Sequence, residues 1–151
     1  MGYSGRIAVV RSLPASLHDA EVLFEKAFQD GWRSLQLDGD ASTTLETLVK
    51  ETGAPAMWAY VLDSDLADVT GLTPGGAEWH TYLHESTAME FGAPELPQSG
   101  DEVARLAMEW AAEAGLVSDA GAVRAALDAH NAFAEETLSE LIKALGLTEA
   151  E

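Results

Sequence analysis

AMWAYVL, residues 56–62, is the most apolar segment of the chain, and DSD follows it directly at residues 63–65. A continuously apolar run of this length is typical of a strand that is covered on both faces. Because Asp and Ser favour turns, residues 67–72 are expected to return as the antiparallel partner in a hairpin. The stretch therefore predicts a sheet with residues 56–62 as its central strand.

Two further strands and a helix are predicted before this segment. Residues 7–10 (IAVV) and residues 34–37 read as strands. Between them, Ser16 and Asp19 resemble a capping box, and Gly31 is expected to end the helix that follows. The apolar residues of this predicted helix recur at helical spacing: Leu17, Ala20, Leu23, Phe24, Ala27 and Phe28.

A second helix is predicted between residues 34–37 and 56–62, where Thr43 and Glu46 form a capping box and Gly53 ends the helix. The resulting order is β-α-β-α-β followed by the hairpin. Since a strand-helix-strand crossover leaves its two strands parallel, we expect three parallel strands with an antiparallel hairpin extension. This predicts an α/β fold, with α+β as the alternative.

The C-terminal third predicts two helices packed on the sheet. Ser99 and Glu102 cap the first, which Gly115 ends, and the second begins near Asp119. The second helix has one continuous apolar face, on which a histidine is expected to lie in the core. That face consists of Val123, Leu127, His130, Ala134, Leu138, Leu141 and Leu145.

The chain of 151 residues is expected to form a single domain, residues 1–151. Residues 1–92 would hold the mixed sheet with its helices, and residues 99–151 the helical pair. Residues 93–98 (APELPQ) contain two prolines and read as the linker between them.

Residues 78–92 fit either a helix or a strand, and we favour a strand through His84 with a short helix from Ser86. On a helix, His80 and His84 would lie about 5–6 Å apart and could chelate one metal ion. On a strand they would lie roughly 13 Å apart, too far to share one ion. Trp79 borders a turn, and partial exposure of its ring would suit a binding interface.

The chain carries 26 acidic side chains against 8 basic ones, a formal net charge of -18. Residues 1–35 are balanced, with four of each sign, whereas residues 36–100 contain eleven acids against Lys50 alone. Residues 101–151 contain eleven acids and three bases. This charge opposes binding to nucleic acid or to an anionic membrane, and it favours a cationic protein or a small cationic ligand.

Four acidic residues are expected at strand ends, namely Asp38, Asp40, Asp63 and Asp65. Loops after the carboxyl ends of parallel strands meet at one edge of a sheet, where ligands commonly bind. Converging carboxylates could hold a divalent cation such as Mg²⁺ or a cationic ligand. The alternative is that these residues serve only as turn and cap residues.

The sequence lacks the motifs that are typical of several protein classes. The chain has no cysteine, no phosphate-binding glycine loop and no G-x-S-x-G, so we assign no catalytic residue and no cofactor. The start MGYSGR lacks the basic and apolar regions of a signal peptide, and no apolar run approaches the ~20 residues that span a bilayer. We therefore expect a soluble, cytoplasmic protein.

Six segments spread over most of the chain are MGYSGR, LDGD, AYVLDSD, LTPGG, EWHTYLH and DAHNAFAEET. They resemble segments of a family of small acidic hypothetical proteins from high-GC bacteria. The resemblance implies a shared fold and transfers no activity and no catalytic residue.

Two functions follow as hypotheses. The first is a non-enzymatic acidic interaction module that binds a cationic partner, similar in size and charge to immunity or inhibitor proteins. Its candidate binding residues are Asp38, Asp40, Asp63, Asp65, Trp79, His80 and His84. The second is a small metal-dependent enzyme or ligand-binding domain that uses the Asp cluster. A third possibility is that the charge serves solubility alone.

Overall fold

The computed structural model describes residues 2–18, 20–38 and 43–149. The strands are β1 Gly5–Arg11, β2 Val22–Ala27, β3 Trp32–Leu37, β4 Ala56–Leu62, β5 Leu66–Leu72 and β6 Glu78–Leu83. The α-helices are α1 Leu45–Thr52, α2 Glu85–Glu90, α3 Gly100–Glu113, α4 Ala120–Asp128 and α5 Ala134–Ala144. Short 3-10 turns lie at Ala15–Leu17 and Gln29–Gly31. None of the helices in these ranges is long and apolar enough to cross a membrane.

The six strands form one antiparallel sheet in the order β2-β3-β1-β4-β5-β6. The predicted strand at residues 56–62 and its hairpin partner are confirmed as β4 and β5. The turn between them places Asp63 and Ser64 at φ of 51° and 57°, in the left-handed region. Two such residues in sequence match the right-handed twist of the flanking strands.

The prediction of three parallel strands is wrong, whereas the α+β alternative is confirmed. β1 is antiparallel to both of its neighbours, β3 and β4. β3 and β4 do run in the same direction on either side of α1, as a crossover requires, but β1 lies between them. The crossover rule therefore predicts the relative direction of β3 and β4 correctly. It does not show that β1, which is earlier in the chain, lies between them.

The helix predicted after Ser16 is also wrong, because residues 22–27 form β2. Asp30 and Gly31 follow this strand at φ of 62° and 84°, so they make the turn of a β2–β3 hairpin. Asp-Gly between two apolar segments is a strong hairpin signal, so Gly31 belongs to this turn and does not end a helix. Helical spacing of the apolar residues was coincidental, since two of them are exposed on β2: Leu23 at 51% and Phe24 at 60%.

Both faces of the sheet are covered. On one face, α1 packs on a cluster that includes Ala8, Leu35 and Trp58. On the other, α3, α4 and α5 pack over alternate residues of β1, β4, β5 and β6. The buried indole of Trp110 in α3 donates a hydrogen bond to the carbonyl of Ala56, at 3.0 Å, and ties this helical layer to β4. The predicted packing of the C-terminal helices on the sheet is confirmed.

The second helix predicted for the C-terminal third is in fact two helices, α4 and α5, which are separated by residues 129–133. His130 lies in this break and is exposed, so the prediction of a core histidine is wrong. The break has a non-local cause: the backbone N–H of Asn131 donates to His84, and that of Ala134 donates to the carbonyl of Ser64. The Glu136 carboxylate then accepts from the N–H of Phe133 and caps α5.

Candidate functional site

The predicted Asp cluster is distributed along the edge where β3 and β4 end, and its described members make mostly backbone contacts. Asp38 follows β3 and Asp63 follows β4, with the N-terminus of β1 between these two strands. The carboxylate of Asp63 accepts from the N–H of Gly2 at 2.6 Å. Asp65 contributes its backbone carbonyl to a histidine, and Asp40 lies outside the described residues.

Ser64, at the centre of this turn, joins three parts of the chain. Its N–H and hydroxyl oxygen bind the backbone of Tyr3, and its hydroxyl donates to Glu135 of α5 at 2.9 Å. The Tyr3 hydroxyl donates to the carbonyl of Leu37 at 2.6 Å, and burial raises the pKa of Tyr3 to about 12. The turn therefore anchors the N-terminal residues against β3 and α5, which supports a structural role for it.

Trp79 is buried at 1% exposure, so the expected exposed tryptophan at an interface is wrong. Its ring lies over Gly71, its cross-strand neighbour on β5. A Cβ at position 71 would lie 2.7 Å from Cζ2 of the ring, closer than side chains can approach. The glycine thus makes room for the indole, and Trp79 serves the core.

His84 is buried at the end of β6, and its hydrogen bonds define its tautomer. Nδ1 lies 2.8 Å from the Asp65 carbonyl, which can only accept, so Nδ1 carries the proton. Nε2 then accepts from the hydroxyl of Thr137 at 2.7 Å and from the N–H of Asn131 at 3.3 Å. The ring of His130 stacks on that of His84 with centroids 4.0 Å apart. This histidine connects the sheet to the break before α5.

His80 differs from the other predicted residues because it lines an open groove. The strand through residue 83 and the following helix α2 confirm our preferred reading of residues 78–92. His80 Nε2 forms a close hydrogen bond with the carboxylate of Asp68 on the neighbouring strand β5, and this contact is an ion pair when the ring is protonated. The hydrogen bond to Asp68 raises the pKa of His80, while partial burial opposes the shift.

The groove lies along β6, the strand at one edge of the sheet, and has a volume of about 430 Å³. α2 forms one wall and the segment 95–100 forms the other. The side chains that matter for its chemistry are His80, Tyr82, Glu85, Met89, Glu95 and Gln98. Glu85 and Met89 are four residues apart in α2 and therefore share the face that borders the groove.

The donors of the groove are largely engaged within the protein. The Gln98 amide accepts from the N–H of His80 and donates to the carbonyl of Glu78, in place of a neighbouring strand. The Tyr82 hydroxyl donates to the carbonyl of Pro94 at 2.8 Å. In contrast, the carboxylates of Glu85 and Glu95 have no hydrogen-bond or ion-pair partner within residues 2–18, 20–38 and 43–149. The groove therefore presents acceptors to a ligand.

The His80–Asp68 pair leads to a prediction about titration. We expect the pKa of His80, followed by NMR, to lie above the usual histidine value of about 6.5. The pair then stabilises the fold below pH 6.5, and this contribution is lost as the pH rises through the raised pKa. In Asp68→Asn the pKa should fall, whereas an unchanged titration would contradict the assigned cause.

Within the described ranges, no group of three His, Asp or Glu side chains is placed to hold a metal ion. His80 and His84 do not converge on one point: His80 faces the groove and His84 is buried against α5.

Sequence reasoning identified His80 but missed Tyr82, Glu85, Glu95 and Gln98 as its neighbours in the groove. The sequence does carry a signal for the two glutamates, because no lysine or arginine occurs between Lys50 and Arg105 to pair with them. The chain matches no protein-family model, no curated protein and no solved structure with which it was compared.

Proposed function

We propose that the protein is a non-enzymatic interaction module that binds a cationic protein through the β5–β6 half of its sheet. The observation that carries this proposal is the segregation of charge by strand order. Residues 53–104 contain no lysine or arginine and nine acidic residues. This segment forms β4, β5, β6, α2 and the start of α3, so its charges lie together on one side of the sheet, which we call the acidic half.

The opposite half of the sheet is less acidic, since residues 1–52 contain eight acidic and five basic residues. Five of the eight bases precede residue 51, and they lie on β1, β2, β3 and α1. Two of them pair with nearby acids: Arg33 with Glu25 at 2.9 Å, and Lys26 with Glu149. A cationic partner is therefore attracted to one half of the molecule in preference to the other.

Two of the three bases that follow the acidic segment are paired with acids. Arg105 pairs with Glu109 at 3.3 Å along α3. Arg124 pairs with Asp101 at 3.2 Å and with Asp128 at 3.1 Å. These cations are paired with acids on α3 and α4, one of which, Asp101, belongs to the acidic half. Glu85, Glu90 and Glu95 have no ion-pair partner within the described residues and remain for a partner.

Fluorescence anisotropy with labelled hexalysine and hexaglutamate tests this proposal. We expect hexalysine to bind at roughly 20 mM NaCl and to bind severalfold more weakly at roughly 150 mM, because salt screens exposed charges. Hexaglutamate should not bind at either salt concentration. If hexalysine does not bind wild-type protein even at low salt, the proposal fails.

Two triple variants with the same change in net charge locate the binding surface. Glu85→Gln/Glu90→Gln/Glu95→Gln removes charge from the acidic half, and Glu21→Gln/Glu46→Gln/Glu140→Gln removes it elsewhere. We expect the first to weaken hexalysine binding about tenfold, equivalent to about 1.4 kcal/mol, and the second less than twofold. Equal losses would show that only the net charge matters, as in the solubility interpretation.

The hypothesis of a metal-dependent enzyme is not favoured by any contact in the described residues. A melting series with Mg²⁺, Mn²⁺ and Zn²⁺ separates the two functions, since an ion that binds only the native state raises the melting temperature. Under our proposal these ions have no selective effect. A cytoplasmic location, expected from the cysteine-free sequence, is part of the same proposal.

A further inference from the structure

We infer that the groove between α2 and the segment 95–100 is the specific docking site for a protein segment that combines lysine or arginine with apolar side chains. This inference rests on the proposed function and adds the partner's chemistry and the place where it binds. It is carried by the shape of the groove, the polarity of its free groups and the exposed apolar side chains beside it.

The volume of about 430 Å³ suits one or two side chains of a partner and is too small for a folded element. The groove lies between parts of the chain that are tied to each other. Gln98 is hydrogen bonded to β6 at two points, and the Tyr82 hydroxyl holds Pro94. Ala88 of the α2 wall packs in a cluster with Tyr82. Because contacts to β6 hold both walls, the protein itself loses little conformational entropy when a segment binds.

The polar groups of the groove that have no partner are carboxylates, and they favour a ligand that donates hydrogen bonds. Glu85 and Glu95 approach the groove from its two walls, and neither is paired within the described part of the chain. Lysine and arginine side chains supply only donors, and a hydrogen bond between charged groups is stronger than one between neutral groups. The Asp68 carboxylate is already hydrogen bonded to His80, so the carboxylates of the groove without a partner are those of the two walls.

Apolar side chains beside the carboxylates distinguish this surface from a simple acidic patch. Met89, which lines the groove, is 40% exposed, and Phe91 at the end of α2 is 54% exposed. Methionine is flexible and polarizable, and is common on surfaces that bind protein segments. A partner residue next to the lysine or arginine would therefore be apolar and would contact Met89.

Three acetylated and amidated peptides serve as probes: GLKLKLG, GLQLQLG without charge, and GSKSKSG without large apolar side chains. We expect GLKLKLG to bind most tightly and GLQLQLG not to bind. Glu85→Gln and Glu95→Gln should each weaken GLKLKLG binding by about threefold to tenfold. Met89→Ser should weaken the binding of GLKLKLG and leave that of GSKSKSG unchanged.

Glu90→Gln is the matched control, because Glu90 is exposed on the same helix but does not line the groove. Its effect on GLKLKLG binding should stay below twofold. If the three glutamate variants weaken binding equally, the groove is not the site, although the acidic half still binds cations. If wild-type protein binds neither GLKLKLG nor hexalysine, the groove and the proposed function both fail. Circular dichroism melts of each variant verify that the fold is retained.

Discussion

Gly71→Ala is expected to lower the free energy of unfolding by about 2–3 kcal/mol, as overpacking of a well-packed core typically does. The new Cβ would meet the ring of Trp79, which is 1% exposed and lies between the sheet and the helical layer. Since the ring has no open space to enter, either β5 or β6 must shift. Urea denaturation, with the transition followed by circular dichroism, measures the loss.

Gly121→Ala is the matched control for this substitution. Gly121 lies in α4, and a Cβ there would have the Asp119 carboxylate 3.6 Å away, an ordinary contact. Because alanine favours a helix over glycine by up to about 1 kcal/mol, this variant should be slightly more stable than the wild type. If Gly71→Ala unfolds at the wild-type urea concentration, the packing of Trp79 on β5 is contradicted.

His84→Asn is expected to lower the free energy of unfolding by about 3 kcal/mol, because buried groups lose their partners. Asparagine tolerates the left-handed backbone at this position, where φ is 61°, but its side chain is too short to replace the imidazole. The Thr137 hydroxyl, fully buried, would lose its contact with the histidine ring, as would the N–H of Asn131.

His130→Asn is the matched control, since His130 is exposed and contributes only a stacked ring. Its cost should stay below about 1 kcal/mol, in line with other surface substitutions. Hydrogen exchange adds a local measurement: in His84→Asn, amides near residues 129–134 should exchange faster than in His130→Asn. Equal stability of the two variants would contradict the role of His84 as the link between β6 and the break before α5.

Local signals in the sequence are sufficient to predict several of the helices and strands. The apolar run at residues 56–62 is β4 with the same bounds, and Ser99 caps α3 by accepting from the N–H of Glu102. The preference for a strand at residues 78–84 was also sound, because alternating side chains of β6 face opposite layers. In each case the pattern depends on residues close together in the chain, which a sequence displays directly.

The remaining elements depend on contacts that are distant in sequence. Nothing near Asn131 shows that its N–H binds His84, 47 positions earlier, so the break between α4 and α5 was not predicted. The position of β1 between β3 and β4 is likewise set by pairing along the whole sheet. At β2 two local signals conflict, because Asp30 and Gly31 indicate a hairpin turn whereas the spacing of the apolar residues indicates a helix.

The candidate site could be predicted only in part for the same reason. His80 was identified from its spacing to His84, although the two histidines face different surroundings. The acidic surplus was visible from composition, but its concentration on one side of the sheet follows from the strand order. Gln98 and Glu95 reach the groove because the segment 93–98, expected to be a linker, covers the edge of β6.

The most direct measurement is an NMR titration of isotope-labelled protein with GLKLKLG at roughly 20 mM NaCl, where screening is weak. Our account predicts that the largest amide shift changes lie in β6, α2 and the segment 93–100, and that β2 and β3 remain unaffected. Shift changes of similar size around the whole surface, or centred on the β2–β3 half, would contradict the claim that the acidic half of the sheet is the binding surface.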